Sequence, residues 1–394
     1  MKVRQAKEGE SIYEIAAEYC ISPHYLMTVS GVGGRPLCNG REVIIPLPSR
    51  TAVAKVGDTP EAISHRFGVK TEEIYALNPE IWLSGRLYPS QYVVLKLAEP
   101  KIGVAAVNGQ IYGGITRERV KRALPYLNTL TVAAARASGA RIRSDGTLMR
   151  FADMARRTGV CPILRIYLED MPRTAWEDFA RGAVMLAASR GFSGLALGGV
   201  SRLKGEAAEL TLSVRRAALE AGLSLSVEGE LGKKCEYADY ADTAVMTLDK
   251  AELSPIPSFE DFEVRIIEST AEVGDVSNML LELPAFALSG GEFISRDEIF
   301  GSLDLRGTEL SKEDKSRMIT VRRGRRLAVC ESVENTLERI RLAVECGFLG
   351  FSADLARVPF PELFALYAMT HRPMNMSTAA AGLNCLGEKN PPSA

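Results

Sequence analysis

Gly191-Phe192-Ser193-Gly194-Leu195-Ala196-Leu197-Gly198-Gly199-Val200 is a short apolar run that follows a helical stretch, Trp176 to Arg190, and is bounded by glycine on both sides. A run this short and this apolar predicts a strand buried on both faces, as in a parallel sheet. With its core at Gly194 to Leu197, it shares a rhythm with Ile102 to Val107, Leu130 to Ala135, Pro162 to Leu168, Leu223 to Val227, Thr243 to Thr247, Met279 to Leu283 and Gly350 to Ser352. Helical stretches such as Arg117 to Leu127, Phe151 to Thr158, Glu206 to Ala221 and Val333 to Cys346 separate these runs. Eight strand-helix repeats in about 270 residues predict an α/β chain with a (β/α)8 TIM barrel over residues 100–373. A charged insertion, residues 289–328, carries Met318-Ile319-Thr320-Val321 near its end and predicts a small subdomain after the seventh strand. Residues 374–394 have no periodic pattern and predict a disordered tail.

Composition narrows the function. At 394 residues, with 46% apolar and 25% charged side chains, the chain is long enough for two or three domains and a sizeable core. A net charge of −1 favours neither nucleic acid nor an anionic membrane as partner, and a neutral ligand fits better. No window approaches the roughly 18 apolar residues of a spanning helix. Met1 to Glu8 has no apolar leader segment, so synthesis in the cytoplasm without a signal peptide is expected. The 7 cysteines form no Cys-x-x-Cys pair and only His24, His65 and His371 are histidines, so no disulfide framework, metal site or cofactor is expected.

Ahead of the barrel, one unit is written twice. Lys55, Gly57, Asp58, Thr59 and Ile63 repeat Lys7, Gly9, Glu10, Ser11 and Ile15; Phe67, Val69 and Ile74 repeat Tyr19, Ile21 and Leu26; Val93 and Leu95 repeat Val43 and Ile45. Each copy reads strand, helix, helix, strand, giving two modules at residues 1–48 and 51–98. Ser11 with Glu14 predicts a capping box and Thr59 an N-cap, so a glycine-acid-hydroxyl triplet ends a strand and opens a helix. Second helices are predicted to open at Ser22-Pro23 and at Thr71.

The repeat resembles the LysM module. The second copy keeps Gly57-Asp58-Thr59, Leu77-Asn78 and Tyr88-Pro89-Ser90-Gln91, with Ser90 where glycine is usual; the first keeps Gly9-Glu10-Ser11 and Ile15-Ala16 but has Ser30 for the asparagine. The resemblance implies binding of N-acetylglucosamine chains, peptidoglycan among them, through Gly9, Glu10, Ser11 and Ile12, then Gly57, Asp58, Thr59 and Pro60, with Asn78 at the far wall. The same residues could instead serve only to cap helices and turn the chain.

The barrel is similar to glycoside hydrolase family 18, and the whole chain to the spore-germination glycosidases that join LysM modules to such a barrel. Val107-Asn108-Gly109, Leu124-Pro125-Tyr126-Leu127, Ser144-Asp145-Gly146-Thr147-Leu148, Gly347-Phe348-Leu349-Gly350-Phe351-Ser352 and Pro359-Phe360-Pro361 carry the likeness. It implies association with the spore coat or cortex and partners there. The family's fourth-strand signature, Asp-x-x-Asp-x-Asp-x-Glu, falls on Ser193, Ala196, Gly198 and Val200, so the general acid and the Asp that orients the acetamido group are missing. Met246-Thr247-Leu248-Asp249 loses a tyrosine, and Ala353-Asp354 stands where an aromatic platform is usual. No catalytic residue is expected on this basis. Other acids at strand ends are Glu169, Asp170, Glu228, Glu230, Asp249, Glu282 and Asp354; Glu228, Glu282 and Asp249 are the candidates for a relocated acid, against the reading that they are rim charges, caps or ion-pair partners of Arg165. Three functions stay open: a non-catalytic glycan-binding protein, a glycosidase acting on cortex peptidoglycan or chitooligosaccharides, or a structural spore-coat protein.

Overall fold

Lys2–Gln5 (β1) pairs antiparallel with Glu42–Ile45 (β2), and between them lie Ile12–Glu18 (α1) and Pro23–Ser30 (α2). Ser11 and Glu14 form the capping box, each side chain accepting the other's backbone N–H. Pro48–Val53 (β3) begins earlier than residue 51 and pairs antiparallel with Tyr92–Leu97 (β4). Between these run Pro60–Phe67 (α3), Thr71–Leu77 (α4) and Pro79–Ser84 (α5), one helix more than the repeat predicts. Pro79 has no N–H with which to continue α4, but it fits the first turn of a new helix. Ala52, Ala54, Ile63, Ile74, Ile81, Val93 and Leu95 form the core of this second copy.

These copies belong to a unit of residues 1–103, 285–339 and 357–372; residues 104–284 and 340–356 build a second unit. The computed structural model describes residues 1–99, 101, 103–231, 233, 235–247, 258–283, 287–290, 292–294, 299–300, 308–313, 316–358 and 360–373.

The second unit is the barrel. Its elements in order are Gly103–Ile111 (β5), Arg117–Ala123 (α6), Thr129–Ser138 (β6), Arg141–Ser144 (β7), Gly146–Arg157 (α7), Cys161–Asp170 (β8), Trp176–Ser189 (α8), Gly194–Gly198 (β9), Ala207–Glu220 (α9), Ser224–Glu230 (β10), Thr243–Thr247 (β11), Phe259–Val273 (α10) and Met279–Glu282 (β12). Helix α7 starts at Gly146 rather than Phe151 because the Asp145 carboxylate accepts the Thr147 N–H at 2.8 Å. The β7 hairpin, antiparallel to β6, is an addition that no apolar run announced.

Among the described residues, the insertion is a five-stranded antiparallel sheet of Ala287–Ser289 (β13), Glu292–Ile294 (β14), Thr308–Lys312 (β15), Met318–Arg323 (β16) and Arg326–Glu331 (β17), in the order β14-β13-β17-β16-β15. It belongs with the first unit, where the Glu42 carboxylate accepts the Val333 N–H at 2.8 Å and lies 3.6 Å from Lys312. Val333 opens Val333–Glu345 (α11), followed by Gly350–Asp354 (β18) and Glu362–Thr370 (α12). In the same unit Arg41 pairs with Glu362 at 3.1 Å, both buried, and Arg339 pairs with Glu331. Strand β18 sits parallel between β12 and β5, and β5 also pairs with β6, closing eight parallel strands into a barrel. No helix of the described residues is long and apolar enough to cross a membrane.

Candidate functional site

In each module copy the turn into the first helix is built the same way. Gly9 and Gly57 have φ of 77° and 82°, a left-handed conformation that favours glycine, and nothing lies within 4 Å of a Cβ placed on either. Backbone geometry, not crowding, selects glycine there. The next residue locks the turn: Glu10 accepts the Lys7 N–H at 3.0 Å and Asp58 the Lys55 N–H at 2.8 Å. Each acid also holds an arginine, Glu10 to Arg4 at 2.5 Å and Asp58 to Arg66 at 2.6 Å. The Arg66 hydrogen bond, then the Lys55 N–H, keep the Asp58 carboxyl below the usual carboxylate range. Thr59 caps α3 by accepting the Ala62 N–H at 3.2 Å, while Ile12 and Pro60 are buried. The acids and hydroxyls are thus engaged in the turn, and the exposed backbone of Gly9 and of Gly57 and Thr59 is what a ligand can meet. Asn78 is elsewhere: fully buried, it donates to the Ile74 and Val94 carbonyls at 2.7 and 2.8 Å and accepts the Val94 N–H at 2.7 Å. It pins α4 to β4, so the expectation that it walls a ligand site is corrected.

The mouth of the barrel is organised by strand alternation, which sends every second side chain inward. On β8 Arg165 and Tyr167 alternate with buried Leu164, Ile166 and Leu168; on β10 Glu228 alternates with buried Leu225 and Val227. Arg165 meets Glu228 in a bidentate pair, Nη2 to Oε2 at 2.7 Å, with both side chains mostly buried. This pair fills the space beside Gly198: a Cβ there would stand 2.5 Å from Arg165 Nη2 and 2.9 Å from Glu228 Oε2. Ala196 is buried in β9, Val200 is fully buried in the turn after it, and Ser193 is exposed just before the strand.

A polar chain runs up the interior. Thr129 and Thr131 donate to Asn108 Oδ1 at 2.8 and 2.9 Å, Asn108 and Gln110 donate to the Ser352 hydroxyl at 2.9 and 2.7 Å, and the Tyr112 hydroxyl donates to Gln110 Oε1. Burial, then the carboxylates of Glu282 and Glu228, push the Tyr112 hydroxyl well above its ordinary pKa, and Asp354 acts in the same direction. The Glu228 and Glu282 carboxylates thus both act on one tyrosine, whereas Asp249 lies outside the described residues. Glu230 is held by Lys233 and by the Ser201 hydroxyl, and Glu169 lies 3.4 Å from Arg136.

Comparison with known families places the second module. Residues 53–96 are a LysM domain. No curated protein matches the chain in sequence. In structure, the spore cortex-lytic enzyme SleL of Bacillus megaterium QM B1551 superposes with a TM-score of 0.69 at 15% identity, over 94% of this chain and 98% of that one. SleL of Bacillus cereus gives 0.67 at 14% identity, over 95% and 99%. A chitinase of Chromobacterium violaceum ATCC 12472 gives 0.54 at 14%, over 68% of this chain and all of its own (100%). At these identities the likeness is one of fold, shared end to end with SleL and across the barrel with chitinases.

The LysM domain also exposes apolar groups that sequence reasoning did not place among the ligand contacts. Val56, beside the Gly57 turn, is 87% exposed, and Tyr88 in the loop before β4 is 53% exposed. Tyr88 is held by Gln91, whose Oε1 accepts the Tyr88 N–H at 3.1 Å and whose Nε2 donates to Glu80 at 3.2 Å. Burial raises the Glu80 carboxyl to about 8.

Proposed function

We propose that this chain binds N-acetylglucosamine-containing cell-wall glycan, peptidoglycan foremost, without cutting it, and acts at the spore coat or cortex. The observation that carries the binding is the LysM match over residues 53–96, with the Gly57 turn open to solvent on a locked frame. The first copy, residues 1–48, repeats that turn at Gly9 to Ile12 and acts with it, since two weak sites on one chain gain avidity. The reading that the barrel does not hydrolyse rests on Gly198: the space a carboxylate would need there is taken by the Arg165–Glu228 pair. The spore part of this reading is supported by the end-to-end fold likeness to the two SleL enzymes.

The test is co-sedimentation of the full chain with purified peptidoglycan. Asp58→Arg with Thr59→Pro weakens pelleting, and the matching changes at Glu10 and Ser11 abolish what is left. Undiminished pelleting when both turns are altered refutes the role. A second reading, hydrolysis by a relocated acid, would draw on Glu228, Glu282 and Asp354, whose carboxylates all raise the Tyr112 hydroxyl. Reducing ends released from cortex peptidoglycan by the full chain, and lost in Glu282→Gln, would establish it.

A further inference from the structure

Tyr167 stands at the C-terminal end of the barrel with three guanidinium groups around its ring: Arg202 at 5.3 Å from the centroid, Arg165 at 5.5 Å and Arg136 at 5.8 Å. The approach is close because glycine lets it be. A Cβ on Gly199 would stand 3.2 Å from Tyr167 Cε2, and one on Gly198 would strike Arg165. The charges around the ring do not cancel. Glu228 neutralises Arg165, and Glu169 lies 3.4 Å from Arg136, an exposed contact of little strength. Arg202 makes no ion pair among the described residues. Arg136 and Arg202 are thus exposed guanidinium groups beside the ring, with at most one weak carboxylate contact between them.

Tyr112, 41% exposed, lies with its ring centroid 5.1 Å from the Arg165 guanidinium, so Arg165 is within 5.5 Å of two aromatic rings. Aromatic faces hold sugar rings, a guanidinium fork holds a carboxylate or phosphate, and carboxylates accept hydroxyl and amide donors.

We infer that the barrel mouth binds an anionic saccharide, its carboxylate or phosphate held by Arg202 and Arg136 beside Tyr167. This ligand is distinct from the neutral glycan of the LysM turns, and it replaces the acid-lined neutral-sugar site that the barrel's resemblance implies.

The test is calorimetric titration of the full chain carrying Asp58→Arg and Thr59→Pro together with the matching changes at Glu10 and Ser11, so that the turns do not contribute. Three monosaccharides are the probes: N-acetylmuramic acid for a carboxylate, N-acetylglucosamine 6-phosphate for a phosphate, and neutral N-acetylglucosamine as reference. Either acidic sugar is expected to bind about tenfold or more tightly than the neutral one, with affinity falling as salt rises. Which of the two binds identifies the anion. Arg136→Ala with Arg202→Ala, both exposed and outside any buried pair, is expected to weaken the acidic sugar about tenfold or more, and Arg202→Lys to recover part of that. Equal affinity for acidic and neutral sugars, no binding of either acidic sugar, or an undiminished acidic affinity in the double variant each overturns the inference. Since pelleting on peptidoglycan reads the turns and this titration reads the mouth, either reading can fail without the other.

Discussion

Gly198→Ala is the sharpest probe of the barrel mouth. The added methyl would lie 2.5 Å from Arg165 Nη2, 2.7 Å from its Cζ and 2.9 Å from Glu228 Oε2, all inside van der Waals contact. A free arginine tip would swing aside at little cost. This one is clamped by a bidentate carboxylate with side-chain exposures of 11% and 18%, so the methyl must either distort the pair or move the β9 backbone. Overpacking of this kind costs about 1–3 kcal/mol. The assay is chemical denaturation in two backgrounds, the natural one and one in which Arg165→Met and Glu228→Met remove both charges together. In the second background the methyl meets a flexible apolar neighbour, and its cost should fall by about 1 kcal/mol or more, a coupling typical of residues in contact. An unchanged stability in Gly198→Ala, or the same loss in both backgrounds, would refute the claim that the ion pair occupies the place of the missing carboxylate.

Asn78→Ala removes three hydrogen bonds and leaves the buried Val94 N–H without its acceptor, so the LysM domain should lose about 1–3 kcal/mol in denaturation while any change in glycan affinity follows unfolding only. Glu80 titrates at about 8 when folded and near 4.3 when unfolded, so between those values the folded state holds the extra proton and stability falls as pH rises, by about 1.4 kcal/mol per unit. Thermal unfolding across that window should flatten in Glu80→Gln; a slope that persists would assign it to another group. Glu331→Ala removes the ion-pair partner of the fully buried Arg339 and should cost about 3–5 kcal/mol, whereas Glu331→Leu with Arg339→Met should restore most of it, as measured by urea unfolding.

The barrel strands are legible in sequence because a strand buried on both faces leaves an unbroken apolar run; Thr243 to Thr247 is read to the residue. The insertion is seen as a charged interruption, but its sheet pairs strands through side chains that alternate weakly, and β17 runs past the expected end at Ala328 to Glu331. The turns of the modules are readable from local rules, since Ser11, Glu14 and Thr59 act within one turn of helix. Asn78 misleads because its partner, the Val94 backbone, is set by the closure of the module and not by any neighbour in sequence. The mouth is the least legible part. Arg165 and Glu228 are 63 residues apart, and only the shear of the barrel brings them beside Gly198.

The Glu42 carboxylate has a practical consequence. It reaches from the closing strand of the first module to the opening amide of α11 and toward Lys312 on the insertion sheet, so the front of the polypeptide is stitched to a segment made much later. Deleting residues 1–47 to obtain a trimmed protein would bare the start of a helix and remove one of the two carboxylates beside Lys312, the other being Glu334 at 2.6 Å. A shortened version that fails to express soluble protein would then report a missing brace, one that joins Glu42 to residue 333 only after the later segment has been made.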